Sequence, residues 1–366
     1  MFISIYIAAF IMDFLNTSIS VALSMFLHEV KGSSPLIIGV AGFVAGFSYT
    51  ATTFLKARFF SQKKTNWFIF IPAIAGLIYW SIYYLSVPLI FFMLVLAGLF
   101  YGIFWPSIQY CFSSKEGEKR LGFFNISWSA GTIFGSFLVG ILYALNKKAP
   151  FKAALILGLI GMLGLYFKRH RITKPTVIQN DFSDYLKAPL EKIIEIRLLS
   201  FLHLTSVGAI MFLFPKIGLE RNFSPQLIGI MFGSLLLFRC LAFGVLTKKS
   251  LVLHKHSFLY SCVLFSLGTI MVGLSPYPAI VFLGMFIIGI TGAFSYHNSI
   301  VLHIKHNLPT EIHEGIIGAG LFIGPLLAGF LGHILNMLIS FVIMSIMVLL
   351  TGLIYIALKP KQPQIS

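Results

Sequence analysis

The sequence predicts an all-α membrane protein with twelve transmembrane helices in two parallel six-helix repeats. Three observations predict this. Of the 366 residues 58% are hydrophobic and only 10% charged, with a mean hydropathy of +0.92, whereas soluble domains carry about 25% charged residues. Apolar runs close to the ~20 residues that cross a ~30 Å hydrocarbon core recur along the chain. Residues 34–55, SPLIIGVAGFVAGFSYTATTFL, return 190 positions later in SPQLIGIMFGSLLLFRCLAFGVL, 224–246.

Taken in order, the apolar runs lie near 3–27, 36–57, 66–84, 87–112, 121–144, 151–168, 193–215, 225–247, 256–274, 277–303, 312–335 and 337–358. Residues 1–12 lack the basic stretch of a signal peptide, so the first run reads as a retained helix. One long polar segment, 169–192, divides six runs from six. Phe182, Tyr185, Leu186 and Leu190 fall at helical spacing in it, which suits either a plain linker or a short helix on the membrane surface. The expected organisation is an N-terminal six-helix bundle at 1–168, a cytoplasmic linker at 169–192, and a C-terminal bundle with a short tail at 193–366.

Lysine and arginine placement sets the orientation. With the amino terminus in the cytoplasm, 20 of the 27 basic residues fall on the inner side and six outside, and Arg239 lies within a span. Both termini are then cytoplasmic, in a multi-pass protein expected in the plasma membrane. The net charge of +16 is accounted for by topology, so nucleic acid is not an expected partner. Cys111, Cys240 and Cys262 stand singly in apolar runs and read as packing residues.

The duplication extends beyond its founding pair. Ala130-Gly131, Gly135 and Gly140 in the fifth span match Ala319-Gly320, Gly324 and Gly329 in the eleventh, at an offset of 189. Gly102 and Phe104 in the fourth match Gly292 and Phe294 in the tenth. Copies six spans apart enter the membrane in the same direction, so the repeat is parallel, with its pseudo-two-fold axis along the membrane normal. Small residues in spans 5 and 11 let backbones approach closely.

In these features the chain resembles the major facilitator superfamily of secondary transporters: six plus six spans, a basic central linker, and glycine-rich fifth and eleventh helices. That family's motif after the second helix runs Gly-x3-Asp-Arg-x-Gly-Arg-Lys. Here residues 52–64 read TTFLKARFFSQKK, which keeps the basic cluster without the glycine and aspartate. In the second half Gly244 is kept, but Lys248 stands where the acid belongs. The antiporter-type ending of the fifth helix, Gly-Pro-x2-Gly-Gly, has Ser136 at the proline; Gly324-Pro325-x2-Ala328-Gly329 of the eleventh matches it better. The resemblance implies a transporter whose helices 1, 4, 7 and 10 line a central cavity and whose helices 5 and 8 meet at the seam between halves.

Charges within a membrane cost about 2.5–3.5 kcal/mol each on insertion scales, and only Asp13 and Arg239 lie well inside a span. Asp13, Thr17, Ser20 and Ser24, with Asn16 beside them, form one polar face of the first helix. Such a face serves either as glue between helices or as a cavity wall. Adding 190 to Asp13 gives His203, which reads either as a core histidine or as Asp13's mate across the axis. The fourth span offers Tyr101, Trp105 and Gln109 on one face, and the tenth offers Thr291, Ser295 and Asn298. Arg239 either snorkels to the inner surface or reaches Asn125, Ser129 or Asp13 across the seam as part of an inter-domain gate. The expected substrate and proton pathway is therefore Asp13, Asn16, Thr17, Ser20, Tyr101, Trp105, Gln109, His203 and Asn298.

Enzyme chemistry finds no foothold. His313-Glu314 begins a zinc-protease pattern, but Ile317 takes the second histidine's place, and no GxSxG or phosphate-binding loop occurs. No cofactor and no metal is expected. The expected function is proton-coupled secondary transport of a small organic solute by a monomer in the lipid bilayer, with efflux preferred on the glycine motif. The alternative is a transporter-shaped sensor or scaffold.

Overall fold

The computed structural model describes residues 2–59, 66–109, 121–167, 190–246, 257–305 and 310–358. Among them are twelve α-helices and no strand: α1 Phe2–Glu29, α2 Pro35–Phe59, α3 Ile71–Ile82, α4 Val87–Gln109, α5 Leu121–Leu145, α6 Ala149–Tyr166, α7 Leu190–Glu220, α8 Pro225–Leu246, α9 Ser257–Leu274, α10 Pro278–Lys305, α11 Thr310–Ile334 and α12 Met337–Leu358. Cys111, most of the central polar segment and the loop clusters at 60–65 and 247–256 lie outside the described residues.

Eleven of the helices are long and apolar enough to cross a membrane. The exception is α3, with twelve residues in α-form. A 3-10 helix, Asn66–Phe70, precedes it. At about 1.5 Å per α-residue and 2.0 Å per 3-10 residue, the two together reach roughly 28 Å, close to one hydrocarbon core. Pro72, at the start of α3, needs no helical partner for its missing N–H and so tolerates the junction.

Two parallel sets of six helices are visible in matching contacts. Between α1 and α2 the chain turns at Gly32 with φ 60°, and between α7 and α8 at Asn222 with φ 60°. Both residue types enter this left-handed region readily. The Ser34 hydroxyl accepts from the Ile37 N–H at 3.4 Å, and Ser224 does the same for Leu227 at 3.2 Å, so each following helix starts on the same cap.

The halves meet along α2 with α11 and α5 with α8, and α1 also touches α7. A Cβ on Gly39 would lie 2.9 Å from Gly329 Cα, and one on Gly329 would lie 2.7 Å from the Pro35 carbonyl. The other edge repeats the arrangement: a Cβ on Gly229 would lie 2.8 Å from the Ser136 carbonyl, and Gly140 presses on the Pro225 carbonyl. The same knob, built twice by the duplication, joins the halves on both sides of the axis. Lipid supplies no hydrophobic drive between helices, so close packing of small residues carries this association.

The termini share one face of the bundle. At the opposite face, Glu29 at the end of α1 pairs with Lys147 at 2.8 Å and accepts from the Tyr143 hydroxyl at 3.1 Å. Lys148 lies 4.5 to 5.5 Å from the rings of Trp80, Tyr83 and Tyr84. Arg221 donates to the carbonyls of Val272 (3.1 Å), Ser275 (2.8 Å) and Gly273 at the end of α9, where unpaired carbonyls favour a cation. Burial lowers the pKa of this guanidinium, an effect that neighbouring Glu220 opposes.

Gly329→Leu is expected to lower the thermal midpoint in detergent by several degrees, because the new side chain meets backbone at Pro35. Gly244→Ala, which meets nothing within 4 Å, should leave it unchanged or raise it slightly, since a helical glycine costs up to about 1 kcal/mol against alanine. Equal midpoints for the two variants would contradict the seam as described.

Candidate functional site

The four helices that the resemblance names as cavity walls are α1 and α4 in one half and α7 and α10 in the other. Among the described residues α4 and α10 have no extensive mutual contact, whereas α1 and α7 do. At the face away from the termini the Ser24 hydroxyl donates to the Phe212 carbonyl of α7 at 2.5 Å, fully buried. The polar face of α1 therefore divides. Ser24 is inter-half glue and Thr17 is buried at 2% exposure, while Asp13, Asn16 and Ser20 are only partly buried. These three stand at i, i+3 and i+7, one stripe of a helix. The Ser20 hydroxyl donates to the Asn16 backbone carbonyl at 2.7 Å, so its own demand is met locally.

Asp13 lies within electrostatic reach of two buried phenols, Tyr79 of α3 and Tyr101 of α4. The Tyr101 hydroxyl donates to the Met12 carbonyl, which fixes α4 against α1 beside the carboxylate. Trp105 is half-buried, 6.3 Å from the Tyr101 ring and 6.1 Å from Phe124 of α5. Tyr101 and Trp105 thus form one aromatic ledge on α4, adjacent to Asp13. Gln109 ends that helix, with its side chain outside the described residues. Tyr79 escaped the sequence reading because α3 was not among the expected cavity helices.

Two polar side chains of α10 bond within their own helix. The Asn298 amide, 8% exposed, donates to the Phe294 carbonyl of its own helix at 2.8 Å. The Thr291 hydroxyl donates to Ile287 at 2.6 Å. The Ser200 hydroxyl of α7 reaches the Ser295 carbonyl at 3.5 Å, so this face of α10 looks onto α7.

His203 does not face Asp13. It is 1% exposed, stacked 4.8 Å from Phe265 of α9 and pressed against Gly292 of α10, inside the C-terminal half. The physical reason is register. Gly131 and Gly135 of α5 pack on the carbonyls of Phe10 and Phe14, and their counterparts Gly320 and Gly324 of α11 pack on those of Phe201 and Thr205. The offset between α1 and α7 is thus 191 here. Leu204 is the counterpart of Asp13, and His203 takes the place of the buried Met12.

The three gate residues lie on the paired helices α5 and α8. Asn125 is exposed, and its side-chain oxygen accepts from Trp128 Nε1 at 3.1 Å. Ser129 is half-buried. Arg239, also half-buried, lies beside Gly289 of α10 and within electrostatic reach of His203. Its Nε is buried without a hydrogen-bond partner among the described residues. Among the described residues no group of three or more His, Cys, Asp or Glu could hold a metal ion.

No curated protein matches the chain. Solved structures do, at low identity and full length. A nucleoside transporter, NupG, superposes with TM-score 0.73 and 14% identity over 98% of this chain and 99% of the other. A bacterial homologue of the human lysosomal transporter Spinster, inward-facing and occupied, gives 0.75 and 10% over 97% and 96%. A POT family transporter in complex with 5-aminolevulinic acid gives 0.75 and 13% over 97% and 95%. At such identities these likenesses establish the fold. The family model described as Major Facilitator Superfamily matches residues 5–314, across both six-helix sets. The chain belongs to the Major Facilitator Superfamily, and is a transporter rather than an enzyme.

Proposed function

We propose that this secondary transporter moves a small organic solute by alternating access, with residues 1–168 rocking against 193–358. The observation that carries this reading is the α1 stripe. Asp13, Asn16 and Ser20 stay partly accessible beside the Tyr101–Trp105 ledge, while the far end of the same helix is locked to α7 through Ser24. A polar face in a membrane helix must meet protein or water. Two aromatic rings beside one carboxylate suit a neutral, partly apolar or zwitterionic solute. The nucleoside and 5-aminolevulinic acid named for the structural neighbours fall in that size class.

Asp13 is the proposed proton-binding group, since a carboxylate some 15 Å along α1 from its start lies near the bilayer midplane. Efflux is the proposed direction, on the Gly324-Pro325 motif of α11. The protein works as a monomer in the plasma membrane with both termini cytoplasmic. Arg239 is proposed to cross to Asn125 or Ser129 when the terminal face closes. It lies fourteen residues past Pro225, about 21 Å along α8.

Proteoliposomes given a panel of small solutes, with and without a pH gradient, test the reading. Counterflow of at least one solute, accelerated by the gradient, is expected; silence across nucleosides, amino acids and small amphiphiles would contradict it. Asp13→Asn should abolish gradient-driven accumulation and retain solute exchange. Normal accumulation by that variant would remove Asp13 from the mechanism.

Single cysteines in a cysteine-free background test the pathway itself. Cysteines at Asn16 and Ser20 should react with a water-soluble maleimide and be protected by the transported solute, while cysteines at Thr17 and Ser24 should stay unreactive. Uniform reactivity along the helix would oppose the pathway. At the gate, Arg239→Lys should lower turnover at least several-fold, because lysine lacks the planar fork of donors. Full transport would return Arg239 to snorkelling.

A further inference from the structure

The interior of the C-terminal half holds polar atoms that its own chain does not pair. Both ring nitrogens of His203, the Ser295 hydroxyl and Arg239 Nε are buried without a hydrogen-bond partner among the described residues. A neutral imidazole carries one donor and one acceptor.

These groups are neighbours. Ser200 and His203 lie on one stripe of α7, and Gly292 and Ser295 on the facing stripe of α10. The stripes are held in register by the His203 ring against Gly292 and the Ser200 hydroxyl on the Ser295 carbonyl. Arg239 joins from α8, beside Gly289, one turn of α10 from Gly292, and within electrostatic reach of the imidazole. The ring also lies 4.8 Å from the apolar ring of Phe265 on α9, and Arg239 is the one charged side chain acting on His203 among the described residues.

The duplication shows that this place does not require a polar residue. The N-terminal half fills the equivalent position with Met12, which leaves no hydrogen bond owing. Within a bilayer an unpaired buried donor or acceptor is costly, and polar sites of this kind are satisfied by bound water. We propose that His203, Ser295 and Arg239 form an internal hydration site in the C-terminal half, in which one or more bound waters bridge the imidazole to the serine hydroxyl and the guanidinium. A hydrated imidazole there places a hydrogen-bonding group in the half opposite Asp13. The proposal stands independently of the transported solute.

A double-mutant cycle tests it in the purified full-length protein. His203→Phe keeps a ring on Phe265 and removes both nitrogens, and Ser295→Ala removes the hydroxyl. With a shared bridge, each single change strands the other's partner. Each should then lower the thermal midpoint, with the double variant recovering part of the summed loss. If the site is dry, His203→Phe should raise the midpoint and the two effects should add; that result would overturn the proposal. Magnetisation transfer from water to 15N-histidine in nanodiscs gives a readout that does not depend on variant stability in the wild-type protein. The resonance assigned to His203, by its loss in His203→Phe or in the milder His203→Gln, should exchange with water. A resonance shielded from water would likewise overturn the proposal.

Discussion

Backbone against backbone at two glycine crossings is the constraint on which the rest of this structure depends. In a bilayer, apolar side chains gain nothing by leaving lipid for one another, so two six-helix sets cohere only where their surfaces fit closely. Gly39 with Gly329 and Gly229 with Gly140 provide that fit on opposite sides of the axis. Pro325 and Ser136 occupy matching positions beside them, so the first crossing carries a proline ring where the second carries a hydroxyl. Phenylalanine rings flank both crossings: Phe322 of α11 lies 5.5 Å from Phe43 and 5.7 Å from Phe47 of α2, and Phe137 of α5 packs on Gly233 of α8.

Polar groups then follow a simple division. Where the halves close on each other, polarity is consumed: Ser24 on the Phe212 carbonyl, and Glu29 on Lys147 and Tyr143 within the N-terminal half. Where they part, polarity on α1 is left with access, at Asp13, Asn16 and Ser20. The same helix is thus bonded to α7 near one end and presents a partly buried polar wall in its middle. The aromatic ledge of Tyr101 and Trp105 backs the wall, and the Tyr101 hydroxyl on the Met12 carbonyl makes the two one body.

Much of this was legible in the sequence because membrane helices must bury their backbone bonds internally, which makes length and hydropathy decisive. Close backbone approach could be read from the small residues of spans 5 and 11, Gly140 and Gly329 among them, whereas the meeting of α2 with α11 comes from the structure. The third span was legible as the run 66–84, but its 3-10 start before Pro72 was not, since that leaves no trace in hydropathy. Pairing His203 with Asp13 failed on a single residue. The offset is 190 at the Gly32 and Asn222 turns but 191 at Phe10 with Phe201. The repeat slips between Thr205 and Asn222, an interval that holds Pro215 within α7. One residue rotates a helix by about 100°, enough to turn a cavity-facing position into a core one. On α10, Thr291 and Asn298 donate to carbonyls of their own helix, a pairing that sequence spacing alone does not reveal.

The central claim is that the two halves rock as bodies about the glycine crossings. Pairs of spin labels on exposed positions address it most directly: Phe123 with Ile194 at the face carrying the termini, and Leu145 with Leu335 at the opposite face. Distance distributions in nanodiscs should show two populations for each pair. Whatever shifts one pair to longer distances, a pH step or an added solute, should shift the other to shorter ones. Distances at the two faces that stay fixed, or that lengthen together, would contradict rocking about the seam.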